Sequence, residues 1–190
     1  HLRAHRRMQA TGRLQIDTLG ANALAPVWTV ANFSRARGTA NSDRLVGGAG
    51  DEEFLGSNGN DTVQGGAGTD TLSYADTFFQ VVLRPDGVVG KTGNGSGTDS
   101  FSGIERVRGH AGSFNLIDYR ADGPQAAAID ANLTTGVLTI TGNPGGPQTL
   151  LVENFFDVRG SANNDVIVGS SAFNFRSEER RVGKECRLTC

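Results

Sequence analysis

Asp43, Glu52, Asp61 and Asp70 place four carboxylates at intervals of nine residues in the stretch RGTANSDRLVGGAGDEEFLGSNGNDTVQGGAGTDTLSYAD, which starts at Arg37. Regularly spaced acids with no histidine or thiol among them form an all-oxygen donor set. Such a set suits a hard cation, and Ca²⁺ in particular, better than a transition metal. Stacked carboxylates also repel one another unless a cation lies between them.

The acids belong to a unit that fixes where they can go. Written in nines, the stretch reads GTANSDRLV, GGAGDEEFL, GSNGNDTVQ and GGAGTDTLS. The first residue is always glycine (Gly38, Gly47, Gly56, Gly65) and the eighth always apolar (Leu45, Phe54, Val63, Leu72). Glycine and asparagine tolerate the positive φ that tight turns demand, so six residues of each unit can turn while three stay extended. In an extended segment neighbouring side chains point to opposite faces, so one apolar residue flanked by polar ones points inward. A single nonapeptide cannot bury that residue. Copies stacked at the ordinary strand spacing of roughly 4.8 Å can, with ladders of apolar residues inside and carboxylates at the turns.

These units resemble the hemolysin-type (RTX) nonapeptide repeat GGxGxDxUx, most closely over residues 47–73. The resemblance implies a parallel β-roll in which two nonapeptides form one coil and each Ca²⁺ lies between turns two repeats apart. On that rule Asp43 faces Asp61 on one edge and Glu52 faces Asp70 on the other, with Glu52 standing where the family has aspartate. It also implies a secreted bacterial protein exported by type I secretion, with calcium binding coupled to folding.

Self-comparison extends the repeat. ANFSRARGTANSDRLVG, SGIERVRGHAGSFNLID and VENFFDVRGSANNDVIVG align with Arg-Gly in common. The second and third follow VVLRPDGVVGKTGNGSGTDSF and AAIDANLTTGVLTITGNPGGPQTL, each reading as strand, glycine turn, strand and Gly/Pro loop. LQIDTLGANALAPVWTV fits as a degenerate member. The expected fold is all-β, a right-handed parallel β-roll or β-solenoid over residues 14–175 with β spacers. Degenerate nonapeptides lie near 109–117 and 160–168. In the former, Leu116 takes the apolar place and Phe114 the acid's, so that coil is expected to stack without ligating; in the latter Asp165 is a further candidate metal ligand. Residues 1–13 read as an N-terminal edge. Residues 176–190 carry RSEERRVGKEC, which resembles a translated sequencing adapter and reads as a non-native tail.

Residues 14–175 hold 17 acidic and 9 basic residues, a net charge of −8 against −2 for the chain of 190. An acidic, glycine-rich body disfavours nucleic acid as a partner. Cys186 and Cys190 lie in the tail, which leaves the body without a disulfide or a zinc site. No run approaches the roughly 20 apolar residues of a membrane span, and the N-terminal stretch lacks the apolar core of a secretory signal.

Catalytic motifs are not evident. His1 and His5 lack the glutamate of a zinc-protease helix, His110 reads as a turn residue, and no G-x-S-x-G elbow occurs. Asp76, Asp86, Asp99, Asp118, Asp122 and Asp130 read as solvated spacer acids. Tyr74 and Tyr119 read as spacer packing, and Arg37, Arg108 and Arg159 as a ladder or an ion-paired edge. The expectation is a calcium-binding, non-enzymatic fragment of a larger secreted polypeptide. The alternatives are the accessory repeats of an extracellular lipase, protease or polysaccharide epimerase, or of an adhesin or surface protein.

Overall fold

The computed structural model describes residues 33–84, 87–93, 97–120, 128–142 and 148–170, together with the backbone of strands at 13–15 and 175–177. Every regular element among them is a strand. None is a helix long and apolar enough to cross a membrane.

The nonapeptides give one three-residue strand each: β3 (Arg44–Val46), β4 (Glu53–Leu55), β5 (Thr62–Gln64) and β6 (Thr71–Ser73). Each is bounded by the turn of the next unit, so the chain crosses from one sheet to the other at every repeat. Strands 18 residues apart therefore pair in parallel. β3 lies on β5 with Leu45 beside Val63, and β4 lies on β6 with Phe54 beside Leu72. Ahead of them, β1 (Arg13–Gln15) and β2 (Arg35–Arg37) extend the row that carries β4. The eighth-position side chains are buried and join one core that both sheets share. Each such large apolar side chain contributes on the order of 1.5–3 kcal/mol.

The spacers depart from a purely parallel roll. β7 (Phe79–Arg84), β8 (Val88–Gly93) and β9 (Gly97–Ser102) form an antiparallel meander, as do β12 (Ala128–Asn132), β13 (Val137–Thr141) and β14 (Gln148–Glu153). β10 (Arg106–Arg108), β11 (Leu116–Asp118), β15 (Asp157–Arg159), β16 (Val166–Val168) and β17 (Phe175–Ser177) complete the set. One sheet runs β1-β2-β4-β6-β10-β14-β13-β12-β16, the other β3-β5-β9-β8-β7-β11-β15-β17. Each meander enters a different sheet, so both sheets lengthen by equal steps and their inner faces stay matched. The third strand of each meander, β9 or β14, restores the parallel direction and carries the chain back onto the repeat rows.

Residues 176 and 177 pair within β17 against β15. The remainder of the supposed tail, both cysteines, residues 1–12, Asp86 and Asp122 lie outside the described residues.

Candidate metal centre at the nonapeptide turns

In three of the four units the sixth-position carboxylate folds back beneath the glycine that opens the unit, whereas a Cβ on Gly56 would meet the Tyr74 ring. A Cβ on Gly38 would lie 2.7 Å from Asp43 Oδ2, one on Gly47 2.7 Å from Glu52 Oε2, and one on Gly65 2.5 Å from Asp70 Oδ2. The absent side chain is the space the acid occupies. One carboxylate oxygen closes the local turn: Thr39 N donates to Asp43 Oδ2 at 2.6 Å, Gly48 N to Glu52 Oε2 at 2.9 Å, and Ser57 Oγ to Asp61 Oδ2 at 3.0 Å. Glu52, despite its extra methylene, reaches the same second-position N–H that Asp43 reaches in its own unit.

The other oxygen ties the turn to its neighbour. Asp43 N donates to Asp61 Oδ1 at 3.0 Å, and Glu52 N to Asp70 Oδ1 at 2.8 Å. The expected pairs are therefore stacked neighbours, Asp43 with Asp61 on one edge and Glu52 with Asp70 on the other. Both rows continue past the four clear repeats. Asp61 N donates to Asp99 Oδ1 at 3.0 Å, and Asp70 N to Glu105 Oε2 at 2.8 Å.

Asp99 is thus a correction: it is only 1% exposed and belongs to the ladder, not to the solvated spacer acids. The signal was present in the sequence. Gly95-Ser96-Gly97-Thr98-Asp99-Ser100-Phe101 matches Gly66-Ala67-Gly68-Thr69-Asp70-Thr71-Leu72 place for place, inside what reads as a spacer loop. The fourth-position glycines agree. Gly59, Gly68 and Gly97 have φ of 97°, 121° and 105°. A Cβ on each would strike the preceding layer's turn carbonyl, Asn41 O, Gly50 O and Gly59 O respectively, so layers approach closely only with glycine there.

The acids are buried: Asp43, Glu52, Asp61 and Asp70 are 9%, 8%, 3% and 0% exposed. Burial, reinforced by Asp99, pushes the Asp61 carboxyl up to about 6 against the opposing effects of the Asp43 N–H, Lys91 and Ser57. Burial also raises Asp70, with Glu52, Glu105 and Asp51 adding repulsion against the relief given by the Glu52 N–H. Asp70 Oδ2 is buried and accepts no hydrogen bond.

Among the described residues no three His, Cys, Asp or Glu side chains group to hold a metal. A cation here would draw on paired carboxylates and turn carbonyls, which is a hard-oxygen set. The orphaned Asp70 Oδ2, facing repulsion from Glu52, fits that demand. Asp70 and Glu52 would hold Ca²⁺ on one edge, Asp43 and Asp61 on the other.

Asp165 adopts the same posture, accepting from Ser161 Oγ at 2.7 Å and Ile129 N at 3.0 Å. Its neighbour at that level is strand β12, and among the described residues no turn carboxylate is stacked on it. The degenerate unit at 109–117 is shifted by one residue from expectation. Ile117, not Leu116, is the strand centre paired with Leu83 and Val158, and Phe114 is turned out to 70% exposure. Asn115 holds the acid's place: its Oδ1 accepts from Val81 N at 3.1 Å, and its Nδ2 donates to His110 O at 2.9 Å and Asn154 O at 2.7 Å. The amide nitrogen satisfies turn carbonyls that would otherwise face a carboxylate's negative charge.

The arginines form ion-paired edges in both sheets. Arg35 and Arg37 reach Asp76, Arg108 reaches Glu153 and Glu53, and Arg159 joins Arg120 on Asp118. Arg159 lies in the opposite sheet from Arg37 and Arg108, so the three do not make one ladder. Asp76 and Asp118 are paired acids, and the arginine contacts hold Asp118 below the usual carboxylate range despite its partial burial. Tyr74 and Tyr119 are buried in the core.

No curated protein matches the chain. The family model of the RTX calcium-binding nonapeptide repeat matches residues 37–72, the stretch whose four turns carry Asp43, Glu52, Asp61 and Asp70, and so supports reading that stretch of this all-β chain as RTX-type repeats.

Proposed function

We propose that the chain binds Ca²⁺ at its nonapeptide turns and that this binding drives the folding of those turns, as part of a secreted protein whose repeat block stays unstacked where calcium is scarce. The observation that carries the reading is the buried Asp70 Oδ2, which has no hydrogen-bond partner and lies in a row with Glu52 and Glu105. A buried carboxylate without compensation is costly, and a row of them opposes stacking. Ca²⁺ removes the repulsion, and because it binds the folded turns, its binding free energy becomes folding free energy.

The chain's own atoms supply the rest. Gly38, Gly47 and Gly65 leave room for the acids of their own units, fourth-position glycines bring turn carbonyls of adjacent layers together, and the N–H bonds at Asp61 Oδ1 and Asp70 Oδ1 fix each carboxylate's orientation. Far-UV circular dichroism of the full chain tests the coupling. Ca²⁺ added after EDTA treatment should produce β signal, while Mg²⁺, which demands tighter octahedral geometry, should do so poorly. A spectrum indifferent to both ions would refute the coupling.

A further inference from the structure

Lys91 is an inward-facing lysine on β8, with no side-chain exposure, where the alternating burial of the strand calls for an apolar residue. Its Nζ lies 2.5 Å from Asp99 Oδ1, 2.7 Å from Ser57 O and 3.6 Å from Asp61 Oδ2. Asp61 and Asp99 are the sixth-position acids of two successive layers, and Ser57 is the second residue of the turn that ends at Asp61. The ammonium therefore meets the donor set a divalent ion would use between layers: two stacked carboxylates and a turn carbonyl. Tyr74 OH donates to the remaining Asp99 oxygen at 2.6 Å.

The opposite row offers a contrast. Its equivalent step, from Asp70 to Glu105, includes no ammonium among the described residues, and Asp70 Oδ2 is left bare. Burying a lysine is expensive unless its charge is met by hydrogen-bonded partners, and here Nζ is met by Ser57 O, Asp99 Oδ1 and Asp61 Oδ2, oxygens of the kind a divalent ion would use.

We propose that Lys91 is a tethered cation that occupies the interlayer site between the third nonapeptide turn and Asp99, so that this step of the roll is closed to calcium and held by the chain itself. The junction between the nonapeptides and the first meander then folds without metal. Calcium loading on this edge stops at the Asp43–Asp61 step.

The proposal rests on the calcium reading only for the ion count of the unmodified chain, which its own titration measures separately. Lys91→Ala removes the ammonium and leaves Asp61, Asp99 and Ser57 O facing vacated space. Calorimetric titration with Ca²⁺ should then find one more ion per chain than in the unmodified protein. Tb³⁺ should give several-fold more tyrosine-sensitised emission, since Tyr74 touches Asp99. Lys91→Arg, which keeps the charge, should show neither gain. Tyr74→Phe in the Lys91→Ala background should lose the emission gain and keep the added ion. If Lys91→Ala is unfolded in EDTA, Ca²⁺ should fold it. An unchanged ion count, or a variant that stays unfolded in saturating Ca²⁺, would overturn the proposal. A chain that binds no calcium before substitution would defeat the calcium reading instead, while the gain or its absence in Lys91→Ala would still decide this one.

Discussion

At the scale of single residues, the sixth-position acids do two jobs that substitution can separate. Asp70 Oδ1 accepts the Glu52 N–H, while Oδ2 has no partner. Asp70→Asn keeps an acceptor for the first and removes the charge at the second. It should weaken calcium binding about tenfold or more, since losing one charged contact costs roughly 1.5 kcal/mol at the low end, yet it should stabilise the metal-free chain by lifting the repulsion from Glu52 and Glu105. Asp118→Ala breaks ion pairs to Arg120 and Arg159 and should leave calcium affinity nearly unchanged. Calorimetry on both variants checks the pair, and equal losses of affinity would mean that diffuse charge holds the ion.

Asp61 adds a pH signature of the same origin. Its folded carboxyl titrates near 6, above the unfolded value of 3.8, so the folded state holds the proton more tightly. The metal-free chain should therefore lose stability as pH rises from about 4 to about 6, by up to about 3 kcal/mol from this group. Asp70 and Asp157 shift in the same direction and Asp118 in the opposite one. Urea unfolding in EDTA across that range measures the slope; stability that climbed with pH would contradict the assignment.

At the scale of elements, the turn and not the strand carries the specificity. Three-residue strands offer few contacts of their own, and their register is set by glycines that let one turn lie against the next. A Cβ on Gly47 would lie 2.0 Å from Gly65 O as well as against Glu52, whereas one on Gly90, in β8, would find nothing nearer than 4.0 Å. Gly47→Ala should cost more than about 2 kcal/mol and weaken calcium binding with it, while Gly90→Ala should stay within about 0.5 kcal/mol. Thermal melts of the two in the presence of calcium make the comparison. The same element logic explains what the sequence shows and what it hides. The nine-residue period made Asp43, Glu52, Asp61 and Asp70 legible because no insertion breaks the register between them. Asp99 follows a matching glycine frame, but the meander of β7 and β8 displaces it from its row by 38 residues instead of 18, so spacing alone could not place it. Glu105 keeps only part of the frame, the fourth-position Gly103 at a φ of 58° and the eighth-position Val107, with Ser100 where the opening glycine would stand. The unit at 109 gained one residue, and Asn115 took the acid's place for a reason visible only in three dimensions: its amide satisfies carbonyls from two turns.

At the scale of the whole molecule, two kinds of layer follow one another along one core. Nonapeptide layers stack through buried acids and call for an external cation. Spacer layers supply their own compensation through Lys91, Asn115 and the arginine-paired edges. The all-β class and the row pairing were readable from glycine, acid and apolar places. The insertion of one meander into each sheet was not, because antiparallel and parallel strands share the same alternation of side chains. Residue-resolved hydrogen exchange of the full chain, in EDTA and in Ca²⁺, tests the central claim most directly. The account predicts that the amides of Glu52 and Thr71, which bond within the Glu52–Asp70 layers, gain strong protection only with calcium. Those of Val81 and Tyr119, in layers held by Asn115 and arginine pairs, should gain far less. Equal protection of both sets in EDTA would contradict calcium as the organiser of the nonapeptide turns.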